Sequence, residues 1–155
     1  MKAQTAIFGD ALDFLRRVED PKRAKMNRRE IYSPQKVAAM RKRYPGVPSD
    51  YLAYLREVGA GTFRECQFMV YGFLATPDEI LGEGVFDWLD AKTRVLCFGD
   101  DFSGDMSGFL PDEGWQIVEL WHDSGRVRHQ NQSFGKYIRA QMLMGPNGDD
   151  LRSKS

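Results

Sequence analysis

The sequence predicts an α+β domain: an antiparallel sheet of about four to six strands, with N-terminal helices and a closing C-terminal helix packed against it. Three observations predict this. In the first third of the chain, apolar residues recur at helical spacing behind residues suited to helix caps. After Lys92 the chain changes to short β-compatible runs, and the turns between them are too short to hold crossover helices, so neighbouring strands run antiparallel. A last amphipathic stretch then follows Ser133. The 155 residues, 42% hydrophobic and 28% charged, suit one soluble domain with a real core, and they hold no repeat and no interdomain linker. The domain is expected over residues 1–144, with 145–155 (GPNGDDLRSKS) as a polar, disordered tail.

The elements follow in order. Asp10 to Asp20 places Leu12, Leu15 and Val18 on one helical face behind an aspartate cap, and Pro21 ends it. The basic stretch KRAKMNRREIY is weakly periodic and reads as an exposed connection. Ser33-Pro34 opens a second helix that Pro45-Gly46 stops. Pro48-Ser49-Asp50 opens a third, with Tyr51, Leu52, Leu55 and Val58 as its stripe and Gly59-Ala60-Gly61 as its end. Gln67 to Leu74 reads as a buried strand. Thr76-Pro77-Asp78-Glu79 is a helix entry running toward Trp88-Leu89. Strands are expected at Arg94–Phe98, Ser107–Leu110, Trp115–Trp121 and Arg126–His129, with turns at GDDFSGD, Pro111–Gly114 and His122–Gly125. Phe134, Tyr137, Ile138 and Met142 form the face of the last helix.

Composition excludes several functions. No apolar run approaches the roughly 18 residues that span a bilayer, and the N-terminus carries no signal-peptide pattern. Two cysteines make no disulfide framework, so a reduced, cytoplasmic protein is expected. The formal net charge is zero, but its distribution is uneven. Arg16 to Arg43 holds eleven basic against three acidic residues; Asp78 to Asp123 holds twelve acidic against two basic. The two runs read as solvated faces, or as a dipolar surface whose acidic side steers a basic partner. The basic run has few aromatics and no recognised nucleic-acid module, so nucleic acid is not an expected partner.

The stretch Cys97–Phe109 (CFGDDFSGDMSGF) contains the residue types from which active sites are built. Its aspartates do not have the spacing of a calcium loop. Cys66, Cys97, His122 and His129 lack short zinc-ligand spacings. Gly104-Asp105-Met106-Ser107-Gly108 is one position out of register for a nucleophile elbow. A Cys97–His122 dyad would need a cysteine outside an apolar strand. No catalytic residue, metal or cofactor is therefore expected. A divalent-metal hydrolase using Asp100, Asp101 and Asp105 stays open as an alternative.

Three groups of residues carry a resemblance. They are Pro48–Leu55 followed by Gly59-Ala60-Gly61, then Val95–Asp100 with Gly104-Asp105 through Phe109, then Trp115–His122 with Ser133-Phe134-Gly135-Lys136-Tyr137-Ile138. In this order, over about Pro48 to Met142, they resemble the SUKH superfamily of bacterial toxin-immunity proteins and yeast cell-wall assembly regulators. The long disordered arms of the yeast regulators have no counterpart in these residues, so the bacterial branch is the closer comparison. The resemblance implies a non-catalytic scaffold that binds and occludes a toxin domain; a regulatory scaffold for a cellular partner is the other reading it allows. On that basis Asp101, Glu113, Trp115 and Asp123 are expected to contact a basic protein partner. Gly99, Asp100, Gly104 and Asp105 are expected to shape the turn, the glycines through conformation and the aspartates by accepting hydrogen bonds from turn amides. Trp88 and Trp121 are further anchors if exposed, and core residues if not.

Overall fold

The computed structural model describes residues 6–90, 92–123 and 126–152. Residues 1–5 of the N-terminal stretch read for a signal peptide, the Ser124-Gly125 half of one expected turn, and the end of the expected tail (153–155) lie outside the described residues. Among these residues five α-helices and seven strands follow one another: α1 (Gly9–Val18), β1 (Arg29–Glu30), α2 (Pro34–Arg43), α3 (Ser49–Glu57), β2 (Ala60–Phe63), β3 (Phe68–Ala75), α4 (Pro77–Leu81), β4 (Leu96–Asp100), β5 (Met106–Leu110), β6 (Gln116–Trp121), β7 (Arg126–His129) and α5 (Phe134–Gln141). The strands lie in chain order, each antiparallel to the next. The α+β, antiparallel expectation therefore holds, with one strand more than its upper bound.

The extra strands are β1, at one edge of the sheet, and β2 beside it. Gly59-Ala60-Gly61 ends α3 and begins β2 at once. Gly59 has φ of +104° just past the helix end, and at Gly61 a side chain would strike the Arg28 carbonyl of the neighbouring strand. A stop signal and a strand start thus occupy the same residues. The expected long fourth helix is five residues, α4, entered through a capping box between Thr76 and Glu79 as the sequence indicates. Gly82 and Gly84 at positive φ end it, and the chain continues irregularly to Leu96. Asp10 is not the cap of α1; it lies in the first turn and pairs with Arg139 of α5. Ser33 and Ser133 do cap α2 and α5.

Strand alternation sends side chains to two faces. Phe68, Val70, Leu96, Phe98, Phe109 and Ile117 meet α1, α2, α3 and α5 in the main core. Tyr71, Cys97, Met106, Leu110, Val118 and Leu120 face the other way, where Ile80 of α4 and Phe86, Trp88 and Leu89 of the following segment cover them. The main core is strongly aromatic. Tyr51 makes edge or tilted contacts with Phe98, Phe109 and Phe134, at 5.3–6.1 Å between centroids. Segments 48–55, 95–109 and 133–138 meet in this cluster. Asp50 also accepts a bond from the Gly135 amide, tying α3 to the first turn of α5.

The segment expected as a disordered tail is folded back as far as Arg152. Arg64, 3% exposed, forms a bidentate pair with Asp150 and also donates to the Met142 carbonyl. Leu151 bonds Leu143 and Gly145 bonds Asp149. A buried guanidinium requires an anion, and the polar tail supplies it.

Candidate functional site

The acidic turn joins β4 to β5. Asp100 ends β4: one carboxylate oxygen accepts the Phe102 amide at 2.8 Å, and the other accepts the Tyr71 hydroxyl. Burial, and then the Asp100 carboxylate, push the Tyr71 phenol far above its ordinary value, so it remains a donor. Asp101 accepts from both the amide and the hydroxyl of Ser103. Asp105 instead reaches the next turn, taking the His122 amide at 3.1 Å and its ring Nδ1 at 2.8 Å.

The expected roles are therefore redistributed within the turn. Asp100 is a turn residue, as expected. Asp101, expected at the partner surface, is exposed and makes turn bonds as well. Asp105 ties two neighbouring turns together rather than accepting amides of its own. Gly104 has φ of +100°, and a side chain there would press on the His122 ring, so it is a conformational glycine. Gly99 is not one. It lies in β4 without positive φ, and an added Cβ would come within 2.3 Å of the Met69 carbonyl and 2.7 Å of the Phe68 ring. Its absent side chain permits close strand packing.

The four expected contact residues do not form one site. Asp101 and Asp123 lie at the end of the sheet where β5 begins and β6 ends. Glu113 and Trp115 lie at the opposite end of that hairpin, roughly 14 Å away at about 3.4 Å per residue. Trp115, at φ of +60°, packs half-buried against Phe109 and Tyr44. Trp88 belongs to the second cluster, and the Arg128 guanidinium lies 3.7 Å over Trp121.

At the Asp101 end, a cleft of about 90 Å³ opens between α5 and the sheet, with Asp101, Asp105, Glu119 and Trp121 among its lining residues. Its floor is a hydrogen-bonded chain. The Ser107 hydroxyl meets the Tyr137 hydroxyl, which donates to Glu119 at 2.7 Å, and Glu119 also accepts the Trp121 indole at 3.1 Å. Burial raises the Tyr137 phenol well above its ordinary value, with Ser107 opposing and Glu119 adding to the rise. The phenol stays protonated at neutral pH and offers no base to Ser107, which is itself 4% exposed. This chain of groups braces α5 on the sheet.

Among the described residues, one group has metal-ligand proximity: Asp105, His122 and Asp123, with ligand atoms within 4.8 Å of one another. Asp100 and Asp101 are not in it. Cys97 is buried beside Met106 in the second cluster, and burial, then Asp100, push its thiol up to about 12. His122 is bonded to Asp105 instead, so these two residues form no dyad.

Sequence reasoning missed Phe102. It is 53% exposed, at φ of +68°, a backbone region that bulky residues rarely adopt. The available signal was a large aromatic at the tip of a turn whose other residues are small or polar.

The site and fold together define a class: an antiparallel α+β domain whose acidic turns and exposed aromatic stand at one end of the sheet. Compared with protein-family models, curated proteins and solved structures, the chain finds no match. No helix among the described residues is long and apolar enough to cross a membrane.

Proposed function

We propose that this chain is a non-catalytic, cytoplasmic protein-binding domain that docks on a basic toxin domain and neutralises it, as the immunity proteins it resembles do. One observation carries the reading. Among the described residues, Asp100, Asp101, Asp105, Glu119 and Asp123 gather at one end of the sheet, and none is in an ion pair with a lysine or arginine. Such a concentration of carboxylates, of which Asp101 and Asp123 are exposed, attracts a positively charged surface and speeds its encounter. Domains that act on nucleic acid present such surfaces.

The test is co-expression with the toxin-like C-terminal domain of a large secreted protein encoded beside this chain. Protection of the cells together with a purifiable complex is expected; absence of both overturns the reading. If affinity purification from the native host yields a cellular regulator instead, the domain is a regulatory scaffold. The Asp105–His122–Asp123 group favours a second reading, divalent-metal chemistry. Calorimetry with magnesium, manganese and zinc to millimolar concentration separates it: saturable heat lost in Asp105→Asn supports the metal reading.

A further inference from the structure

We propose that the apolar groove between α4 and the 101–105 turn is the docking site for a basic partner segment that inserts a large aliphatic side chain between Leu81 and Phe102. The inference rests on the protein-binding reading above and assigns the contact surface within it.

The groove lies on the second face of the sheet. Tyr71, Ile80 and Met106 line it together with Leu81 and Phe102, and it encloses about 200 Å³. Its lining is almost wholly apolar, because its main polar groups, the Tyr71 hydroxyl and the Asp100 carboxylate, are bonded to each other. Leu81 is 43% exposed and Phe102 53%. Phe73, 52% exposed, stacks on Tyr71 at 5.2 Å and extends the apolar surface. Large apolar side chains grouped around a concavity are unfavourable in water and mark a surface that is covered in use.

Phe102 is held in place at a cost. Its backbone is in the left-handed region, where a bulky residue is strained, and the Asp100 carboxylate that accepts its amide also accepts the Tyr71 hydroxyl. One side chain thus sets both the groove wall and the ring at its edge. Small turn residues would avoid that strain, so the exposed aromatic is unfavourable for the fold alone.

Charge complementarity identifies the occupant. The segment 78–90 contains five acidic residues and no basic one; the turn 100–105 contains three acidic residues and no basic one. These two segments supply opposite sides of the groove. An acidic or neutral apolar segment would be repelled or gain nothing from them, whereas lysine- or arginine-flanked aliphatic residues satisfy rim and groove together.

The test uses a fluorescein-labelled 14-residue lysine-rich peptide with two leucines four residues apart. It is compared with a twin in which serine replaces both leucines and a twin in which glutamate replaces the lysines. Fluorescence anisotropy should show saturable binding of the first peptide and at least about tenfold weaker binding of either twin. Phe102→Ser and Leu81→Ser should each weaken the first peptide about tenfold, while Glu113→Lys, at the far end of the hairpin, changes it less than about twofold. Circular-dichroism melts confirm that the variants are folded, and Leu81→Ser keeps the test valid should Phe102→Ser misfold. No saturable binding, equal binding of the leucine-free twin, or no effect of either variant overturns the proposal. Self-association of the wild type that disappears in Phe102→Ser assigns the groove to a second copy and overturns it too. With a verified toxin, a complex unaffected by both variants refutes the groove but leaves the function standing; peptide binding without any toxin complex refutes the function and leaves the groove.

Discussion

The two faces of the sheet are built on different scales. Among the described residues, 24 buried side chains form the core on the helical face, against eight on the other. Four helices cover the first face, whereas one five-residue helix and an irregular segment cover the second. Charge divides in the same direction. The basic run 16–43 takes in the end of α1 and all of α2 on the first face, and the acidic run 78–90 covers the second. The thick face holds the fold together, and the thin one has an exposed apolar groove bordered by the acidic segment 78–90 and the 100–105 turn. Binding surfaces belong where few contacts must be sacrificed, because a residue that anchors the core cannot also be free to meet a partner.

Phe98→Ala should give the largest effect. The ring packs against Tyr51, Phe109, Phe134 and Tyr137, and its loss should cost about 4 kcal/mol, read from urea unfolding. Phe86→Ala, on the thin face, should cost less, about 3 kcal/mol, because the irregular cover can settle into the space. Equal losses would break the contrast between faces.

Asp150→Asn should come next. It leaves the buried Arg64 guanidinium without its anion, at about 3 kcal/mol. Hydrogen bonds from Arg64 hold the Asp150 carboxyl below its ordinary value, so the folded state favours the ionised form. That stabilisation is complete above the ordinary carboxylate range, about pH 4, and disappears as pH falls through the lowered value. Wild type should therefore lose stability on acidification below about pH 4 more steeply than the variant, as thermal melts across pH would show. Matching slopes would mean that the tail is not an anchor.

Asp100→Ala should cost about 2 kcal/mol, through two lost hydrogen bonds, one of them to the phenol of a buried tyrosine. The smallest stability changes belong to Asp101→Lys, about 1 kcal/mol through its exposed turn bonds to Ser103, and Glu113→Lys, within about 0.5 kcal/mol. They sharpen the comparison through kinetics. Asp101→Lys should slow association with a verified basic partner, an effect that shrinks as salt rises from roughly 0.05 to 0.5 M, while Glu113→Lys should not. Equal slowing by both would extend the contact surface along the whole hairpin.

Much of this architecture was legible in the residues. The stripe Tyr51, Leu52, Leu55 and Val58, and the face Phe134, Tyr137, Ile138 and Met142, are buried as their spacing indicates. Caps at Ser33, Thr76 and Ser133 are local hydrogen bonds, so a few adjacent residues specify them. Short turns after Lys92 forced antiparallel neighbours for steric reasons alone. Strands β1 and β2 were not legible, because they are short and half-exposed, and β2 starts within the Gly59-Ala60-Gly61 stretch that also ends a helix. The role of Gly99 was hidden as well, since the Met69 carbonyl that excludes a side chain is thirty residues distant in sequence.

The sequence by itself determined the class of fold, the order of its main elements, the two core-facing helix stripes and the separation of charge, all properties of neighbouring residues and their periodicity. Only the tertiary structure decided which acids stand together. Pairing β5 with β6 sets Asp101 beside Asp105, Glu119 and Asp123 and sends Glu113 to the far end, a division that no local spacing records. It likewise decided that Asp150 is an anchor and Phe102 an exposed wall of a groove, because each depends on a partner brought near only when the chain closes: Arg64 in one case, Tyr71 and Leu81 in the other.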